Sequence, residues 1–400
     1  MVSGSETFDV VIVGGAVTGS SIACHLGMDP AFRGRILVIE KDASYANCAS
    51  ARSAASIRQQ FSTAANIAIS LYGIEFLREI GARLEVAGDR PEIDLVEGGY
   101  LFLATPAGRT VLEENHALQT RLGADIAFLE PDDLRREFPW LMTDDLAAGC
   151  FGRTGEGWFD GYGLMRAFRA KARALGAEYR AAKVASIAVE AGRAIGVVLA
   201  DGTAISAGTV VVAAGIASGR LAASAGIELP ISPRKRMIFP FDCADVIAPR
   251  CPLLVDPTGA YVRAEGKGFI CGAGPAEDAD PENDPDDPDF EVEHDFFEET
   301  LWPILAARVP AFERLRLGRP WAGHYDMNLF DHNALLGPWP GLENLHFACG
   351  FSGHGLQQSP AVGRGIAELV VHGAFRTLDL ADLATARLVE GRRVAERNVV

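Results

Sequence analysis

Residues 8–21 read FDVVIVGGAVTGSS. The apolar run Val10–Val13, preceded by Phe8 and Asp9 and closed by two glycines, is the pattern of a short buried strand. AVTGSSIACHLGM follows with apolar residues at helical spacing, and RILVIEKD, residues 35–42, is a second buried strand. Strand, glycine turn, helix and strand make a βαβ unit with a G-x-G-x-x-G frame at Gly14, Ala16 and Gly19. Gly14 allows the tight turn, Gly19 lets helix and strand approach, and the helix start offers its N–H groups to a pyrophosphate. Glu40 ends the second strand 26 residues after Gly14, beyond the usual ~20, and the DPAFRGR insertion accounts for the excess. Its carboxylate suits ribose hydroxyls and disfavours a 2′-phosphate. Ala16 stands where glycine normally lets the backbone approach the phosphate, a change of one methyl. The unit predicts a dinucleotide site, with FAD and NAD both open.

Four hundred residues exceed what one hydrophobic core usually supports, so two joined domains are expected. A hydrophobic content of 48% with 22% charged residues is that of an ordinary soluble protein. The net charge of −16 argues against nucleic acid or an anionic membrane surface as partner. Seven cysteines occur without a CxxC pair, so neither a disulfide framework nor a metal site is indicated. The first strand begins by Phe8 and no run of 18 apolar residues occurs. A cytoplasmic protein without membrane insertion is the expectation.

The middle of the chain carries short alternating strands with turns at Ala191-Gly192 and Asp201-Gly202, ending in TVVVAAG, residues 209–215. The small residues Ala214 and Gly215 would let that strand end approach a bound dinucleotide. Residues 90–106 and 231–274 read as strands of a second, sheet-based domain. Residues 276–299, AEDADPENDPDDPDFEVEHDFFEE, lack a calcium-loop spacing and read as a solvated surface loop.

A second glycine-spaced stretch, FACGFSGHGLQQSP at residues 347–360, lies far from the first. Taken in order with VVIVGGAVTGSS, RILVIEK, CASARSAASIRQQF and TVVVAAG, it resembles the D-amino-acid-oxidase superfamily of FAD-dependent oxidoreductases. The branch with sarcosine oxidase, glycine oxidase and dimethylglycine dehydrogenase is the nearest. SIRQQFSTAANIAIS, GEGWFDGYGLM and WAGHYDMNLFDHNALLGP look closer still to a mitochondrial FAD-dependent oxidoreductase-domain group linked to complex I assembly. The resemblance spans essentially the whole chain.

That resemblance implies an α/β Rossmann-like FAD-binding domain formed by residues 1–83, 152–227 and 318–400. An α+β substrate domain with an antiparallel sheet would take residues 84–151 and 228–317. It implies non-covalent FAD held by Gly14, Gly15, Ala16, Val17, Thr18 and Gly19, by Glu40 with Lys41, and by Ser50, Arg52, Ser53 and Ala54. Val184 would meet adenine through its backbone, beside Ala214 and Gly215. The late segment, through Gly350, Gly353, His354, Gly355, Leu356 and Gln357, would return to the flavin and stabilise negative charge on its reduced form.

The implied reaction is oxidation of a C–N bond in a secondary amino or imino acid to an imine, which water hydrolyses. The electron acceptor would be molecular oxygen or an acceptor protein. Candidate substrate-facing residues are Arg58, Tyr261, Arg263, His324 and Gln357. Departures from sarcosine oxidases are Gln357 in place of a carboxylate-holding lysine and Ile270 near the position of an oxygen-activating lysine, with Lys267 close by. Gly323 stands where their flavin-linking cysteine would be. A 2-hydroxy-acid or glycerol-phosphate oxidoreductase, or a flavoprotein assembly factor, are the alternatives. The sequence leaves the oligomeric state open.

Overall fold

The computed structural model describes residues 6–397 except 246, 248–250 and 276–278. Five parallel strands form the middle of the first sheet, in the spatial order Leu342–Cys349, Ala204–Val212, Thr7–Val13, Ile36–Glu40 and Glu178–Ala181. Strand Leu335–Trp339 adds antiparallel at one edge, and the hairpin Val184–Glu190/Arg193–Leu199 pairs with the first half of Ala204–Val212. Val11, Ile12, Val38 and Val211 are fully buried, as strands covered on both faces require. Ile39, Val13, Val212 and Phe347 stand in one row across four strands. The chain therefore leaves the sheet at one carboxyl edge as Glu40, Gly14, Ala213 and the GFSGHG segment, which is where open α/β sheets bind ligands.

The second sheet has nine strands and is antiparallel except where Leu253–Val255 runs beside Tyr100–Ala104. Its spine is the long strand Ile231–Cys243, which pairs with Gly268–Gly272, Leu315–Leu317 and Trp321–Asn328. The strand Trp321–Asn328, placed with the FAD-binding segments by the boundary at residue 318, thus hydrogen-bonds into the second sheet. A separate apolar cluster around Phe239, Phe241, Phe297 and Phe312 fills this half.

The acidic loop is a strap as well as a solvated surface; residues 276–278 lie outside the described residues. Asp280 makes two bonds to Arg236 (2.8 and 2.9 Å), and Asp289 pairs with Lys235 at 2.7 Å, both on the second sheet. Asp286 pairs with Lys183 at 2.8 Å, the Pro285 carbonyl accepts from Lys41, and Phe290 lies under the Arg52 guanidinium at 4.3 Å. These partners adjoin the first sheet, so the loop ties the two halves together.

Both chain ends meet through two helices. Val17–Met28 packs along Gly355–His372, where the Ser21 hydroxyl donates to the Ser359 carbonyl at 2.7 Å. A Cβ on Gly363 would lie 2.0 Å from Ser21 Oγ and 2.8 Å from the Ser21 carbonyl carbon. Pro360 sits inside the second helix and cannot donate to the Leu356 carbonyl, and the Ser359 hydroxyl takes that acceptor at 2.8 Å. Gly363→Ala should force the helices apart and destabilise the protein by ~1–3 kcal/mol, the range for overpacking a tight contact. A thermal-unfolding midpoint equal to the parent's would contradict this packing argument.

Candidate functional site

The carboxyl edge of the first sheet carries a backbone cradle. Gly14 has φ +100°, and a Cβ there would lie 2.2 Å from the Ala213 carbonyl oxygen; a Cβ on Gly19 would lie 1.8 Å from the Gly14 carbonyl oxygen. Ala16 has φ −69°, a conformation any L-residue adopts, so the alanine adds no backbone strain to the turn. The Glu40 carboxylate accepts from the N–H groups of Gly15 (2.8 Å) and Asp42 (2.9 Å), fixing it beside the turn. Val17 and Thr18 open the helix, and Ser50 Oγ accepts from Val17 N–H at 3.3 Å. Ala214 and Gly215 form the turn after Ala204–Val212, next to Gly14. Val184 is buried at the start of its strand, and Lys41 lies under the strap.

The GFSGHG segment is bent by three left-handed residues, Gly350 (φ +72°), Ser352 (φ +51°) and Gly353 (φ +92°). A Cβ on Gly353 would lie 2.6 Å from the Tyr325 ring. Asp326 anchors the bend, accepting from Gly350 N–H at 2.7 Å through its side chain and from Ser352 N–H through its carbonyl. Burial pushes the Asp326 carboxyl up to about 6, against the backbone donors that favour its charge. Helix Gly355–His372 starts directly after the bend, and its first N–H groups have no intrahelical acceptor.

Between the two sheets lies a narrow cleft with a cavity volume of about 50 Å³. Arg58, Gln357, His354, Tyr100, Tyr261 and Tyr325 line it, with Ser53–Ser56, Gly353 and Leu356. Arg58 is 2% exposed. Its Nη1 donates to the Gln60 carbonyl (2.8 Å), its Nη2 faces His354 Nε2 (2.9 Å), and its plane lies over the Phe61 ring at 4.2 Å. A guanidinium only donates, so His354 Nε2 accepts and the ring proton sits on Nδ1, toward the Phe351 carbonyl. Burial, with Arg58 beside it, holds the His354 imidazole well below its ordinary range, so it is neutral. Gln357 Oε1 accepts from Arg58 N–H at 2.9 Å. Burial raises the Tyr261, Tyr100 and Tyr325 hydroxyls, keeping all three protonated.

Several sequence-predicted residues lie elsewhere. His324 is on the opposite face of its strand from Tyr325, because side chains alternate. Its Nε2 is 3.4 Å from Asn283 Oδ1, Phe290 packs edge-on against it, and burial lowers it to about 4. Arg263 does not line the cleft: it donates twice to the Ala54 carbonyl and pairs with Glu265, so it braces the 53–55 loop. Arg52 likewise serves the loop, bonding the Ala46 and Ala322 carbonyls and Asn47. Lys267 is at an exposed hairpin turn while Ile270 is buried opposite Arg263, so no lysine stands at the Ile270 position. Gly323 approaches Arg52 closely, its ideal Cβ 3.0 Å from Arg52 Cβ.

Tyr100, Tyr325 and Glu156 escaped the sequence reading. Tyr325 was legible only through strand alternation, and Glu156 only as an acid among the glycines of GEGW. Glu156 is fully buried and accepts from the N–H groups of Gln59 and Gln60 and from Gln60 Nε2 (2.8 Å). Burial raises its carboxyl from 4.5 to about 7, outweighing those donors and Arg58. A pKa raised on folding contributes stability below the unfolded value, about 4.5, that is lost as pH rises through about 7. Glu156→Gln never ionises, so its unfolding midpoint relative to the parent should improve from pH 5 to about pH 7 and level off above that. A pH-independent difference between the two proteins would refute the buried-carboxyl assignment.

Comparison with known proteins matches this architecture. Residues 9–369 match the DAO family, FAD dependent oxidoreductase. The chain is 41% identical over 429 residues to FAD-dependent oxidoreductase domain-containing protein 1 of Xenopus laevis, covering 99% of this chain and 85% of that one. Among solved structures, the L-proline dehydrogenase of P. horikoshii superposes with a TM-score of 0.83 at 26% identity, over 97% of this chain and 100% of that one. The glycine oxidase of Geobacillus kaustophilus shares the fold, with a TM-score of 0.79 at 24% identity over 96% and 99% of the two chains. With residues 9–369, from the glycine cradle through the GFSGHG bend, inside the family match, the chain belongs to the DAO family of FAD-dependent oxidoreductases.

Proposed function

We propose that the protein oxidises the C–N bond of a secondary amino or imino acid to an imine, which water hydrolyses. The observation that carries this is Arg58, a buried guanidinium at the wall of the cleft between the cofactor cradle and the second sheet. The residues fit FAD: the Gly14 cradle admits no side chain, Glu40 is fixed as an acceptor, and the cleft begins at the GFSGHG bend. When bound, FAD accepts a hydride from the carbon bearing nitrogen. The chain's own residues hold and orient the substrate. Arg58 binds the carboxylate, its guanidinium keeping its charge in a dry site where a lysine loses it more readily. Neutral His354 leaves that positive charge unopposed by a second cation. The protonated tyrosines wall the cleft and offer hydroxyls without adding charge. The N–H groups opening helix Gly355–His372 favour negative charge at the cleft's inner end. The similarity to L-proline dehydrogenase supports the class, since proline is a secondary amino acid.

Arg58→Ala should lower kcat/KM for the best carboxylate substrate by ~2–5 kcal/mol with FAD content unchanged, as for one partner of a desolvated charge pair. Arg58→Lys should restore part of it, because a point charge lacks the bidentate fork. Wild-type kinetics in Arg58→Ala would end this assignment. Attachment of the cofactor gives a separate check: Gly323 offers no nucleophile where sarcosine oxidases have cysteine. Acid precipitation should therefore release the yellow colour to the supernatant, and a yellow pellet would show a covalent bond.

A further inference from the structure

The segment GEGWFDGYGLM supplies no group to the cleft lining, yet it is built around a buried acid. Gly152 makes room for the acid, and Gly155 and Gly157 let the chain on either side of it approach its neighbours. A Cβ on Gly152 would lie 1.7 Å from Glu156 Oε2, one on Gly155 would lie 2.1 Å from Gln59 Nε2, and one on Gly157 would lie 1.9 Å from the Val96 carbonyl oxygen. Glu156 is thereby pressed against the 57–60 turn, and strand pair Ser56–Ile57/Gly157–Trp158 locks the two segments in register. Glu156 Oε1 accepts from Gln59 and Gln60 N–H, while Oε2 accepts from Gln60 Nε2. Gln60 Nε2 also reaches the Tyr100 carbonyl at 3.1 Å, and the Gln60 carbonyl takes Arg58 Nη1 at 2.8 Å. One carboxylate thus fixes the residue that fixes the guanidinium, and through the same amide the strand that carries Tyr100.

We propose that Glu156 is the positioning residue for Arg58, setting the direction of its guanidinium through Gln60. This rests on the assignment of Arg58 as the carboxylate clamp. A fork binds a carboxylate well only in one plane, so a tilt of Arg58 weakens binding even though its charge remains. Glu156→Gln would set an amide donor against Gln60 Nε2 and release that plane. Gln60 is buried at 1% exposure, and its Nε2 lies between the Glu156 carboxylate and the Tyr100 carbonyl.

The experiment titrates acetate, a minimal carboxylate, into the FAD-loaded protein at pH 8 and reads the change in flavin absorbance. Glu156→Gln should weaken acetate by about tenfold, the scale of a displaced contact group, with FAD content unchanged. Gln60→Leu, which removes the relay and keeps the acid, should weaken it similarly and stands in if Glu156→Gln does not hold FAD. In an Arg58→Lys background the Glu156→Gln change should cost less than about twofold, because a lysine ammonium has no plane to lose. A purely structural Glu156 would give the same loss with arginine or lysine. Acetate binding within about twofold of wild type in FAD-loaded Glu156→Gln overturns the proposal, as does an undiminished loss in Arg58→Lys. If instead Arg58→Ala itself binds acetate like wild type, the clamp assignment fails first, and the two failures are told apart.

Discussion

Everything at the site depends on the contact of helix Val17–Met28 with helix Gly355–His372. The first helix begins at the glycine cradle and the second at the GFSGHG bend, so their packing sets the separation of the two backbones that face the cofactor. The contact is close because Gly363 has no side chain and Ser21 bonds the Ser359 carbonyl. Sheet pairing adds a second constraint, placing Phe347 in the row of Val13 and Val212. Two helix starts at one carboxyl edge bring their positive dipole ends to where an anionic cofactor binds. A chain with its ends far apart in sequence thereby makes one groove.

Around that groove the protein buries charge in a graded way. Arg58, Glu156 and Asp326 are all buried, and each is bonded rather than merely enclosed. The cost of burial shows in the direction of each group: Glu156 and Asp326 rise, and Arg58 falls. Such groups repay their desolvation only if every lone pair and proton is directed. Here Glu156 and Asp326 accept from backbone N–H groups, which makes them braces for turns. Arg58 alone of the three borders the cleft.

The sheets and the cradle were legible in the sequence because buried parallel strands and glycine turns leave local patterns. Arg58 and Gln357 were reached through the family resemblance, and both line the cleft. His324 and Arg263 show where such reading ends. Strand alternation decides that Tyr325 and not His324 faces the cleft, and the sequence does not state which parity is inward. Arg263 is on the right strand, but the Ala54 carbonyl captures it from a loop 209 residues away. Glu156 was hidden for a related reason: an acid between glycines reads as a surface turn, and only the tertiary approach of Gln59 and Gln60 makes it interior.

The acidic loop marks the same limit on a larger scale. Composition alone suggests residues repelled into solvent, and most exposed ion pairs contribute ~0–1 kcal/mol each. The strap works by number and placement instead. Arg236 and Lys235 hold it to the second sheet, Lys183 holds it to the first, and Arg52 stacks on Phe290 beside the 48–54 segment. Those cations sit on three separate segments, the strand Ile231–Cys243, the link at Lys183 and the segment at Arg52, so the strap resists their relative motion even though no single pair is strong. A net charge of −16 thus coexists with a cationic track that is used internally. The overall sign comes from the excess of 53 acidic over 37 basic residues, and the strap uses part of that excess to hold the two halves together.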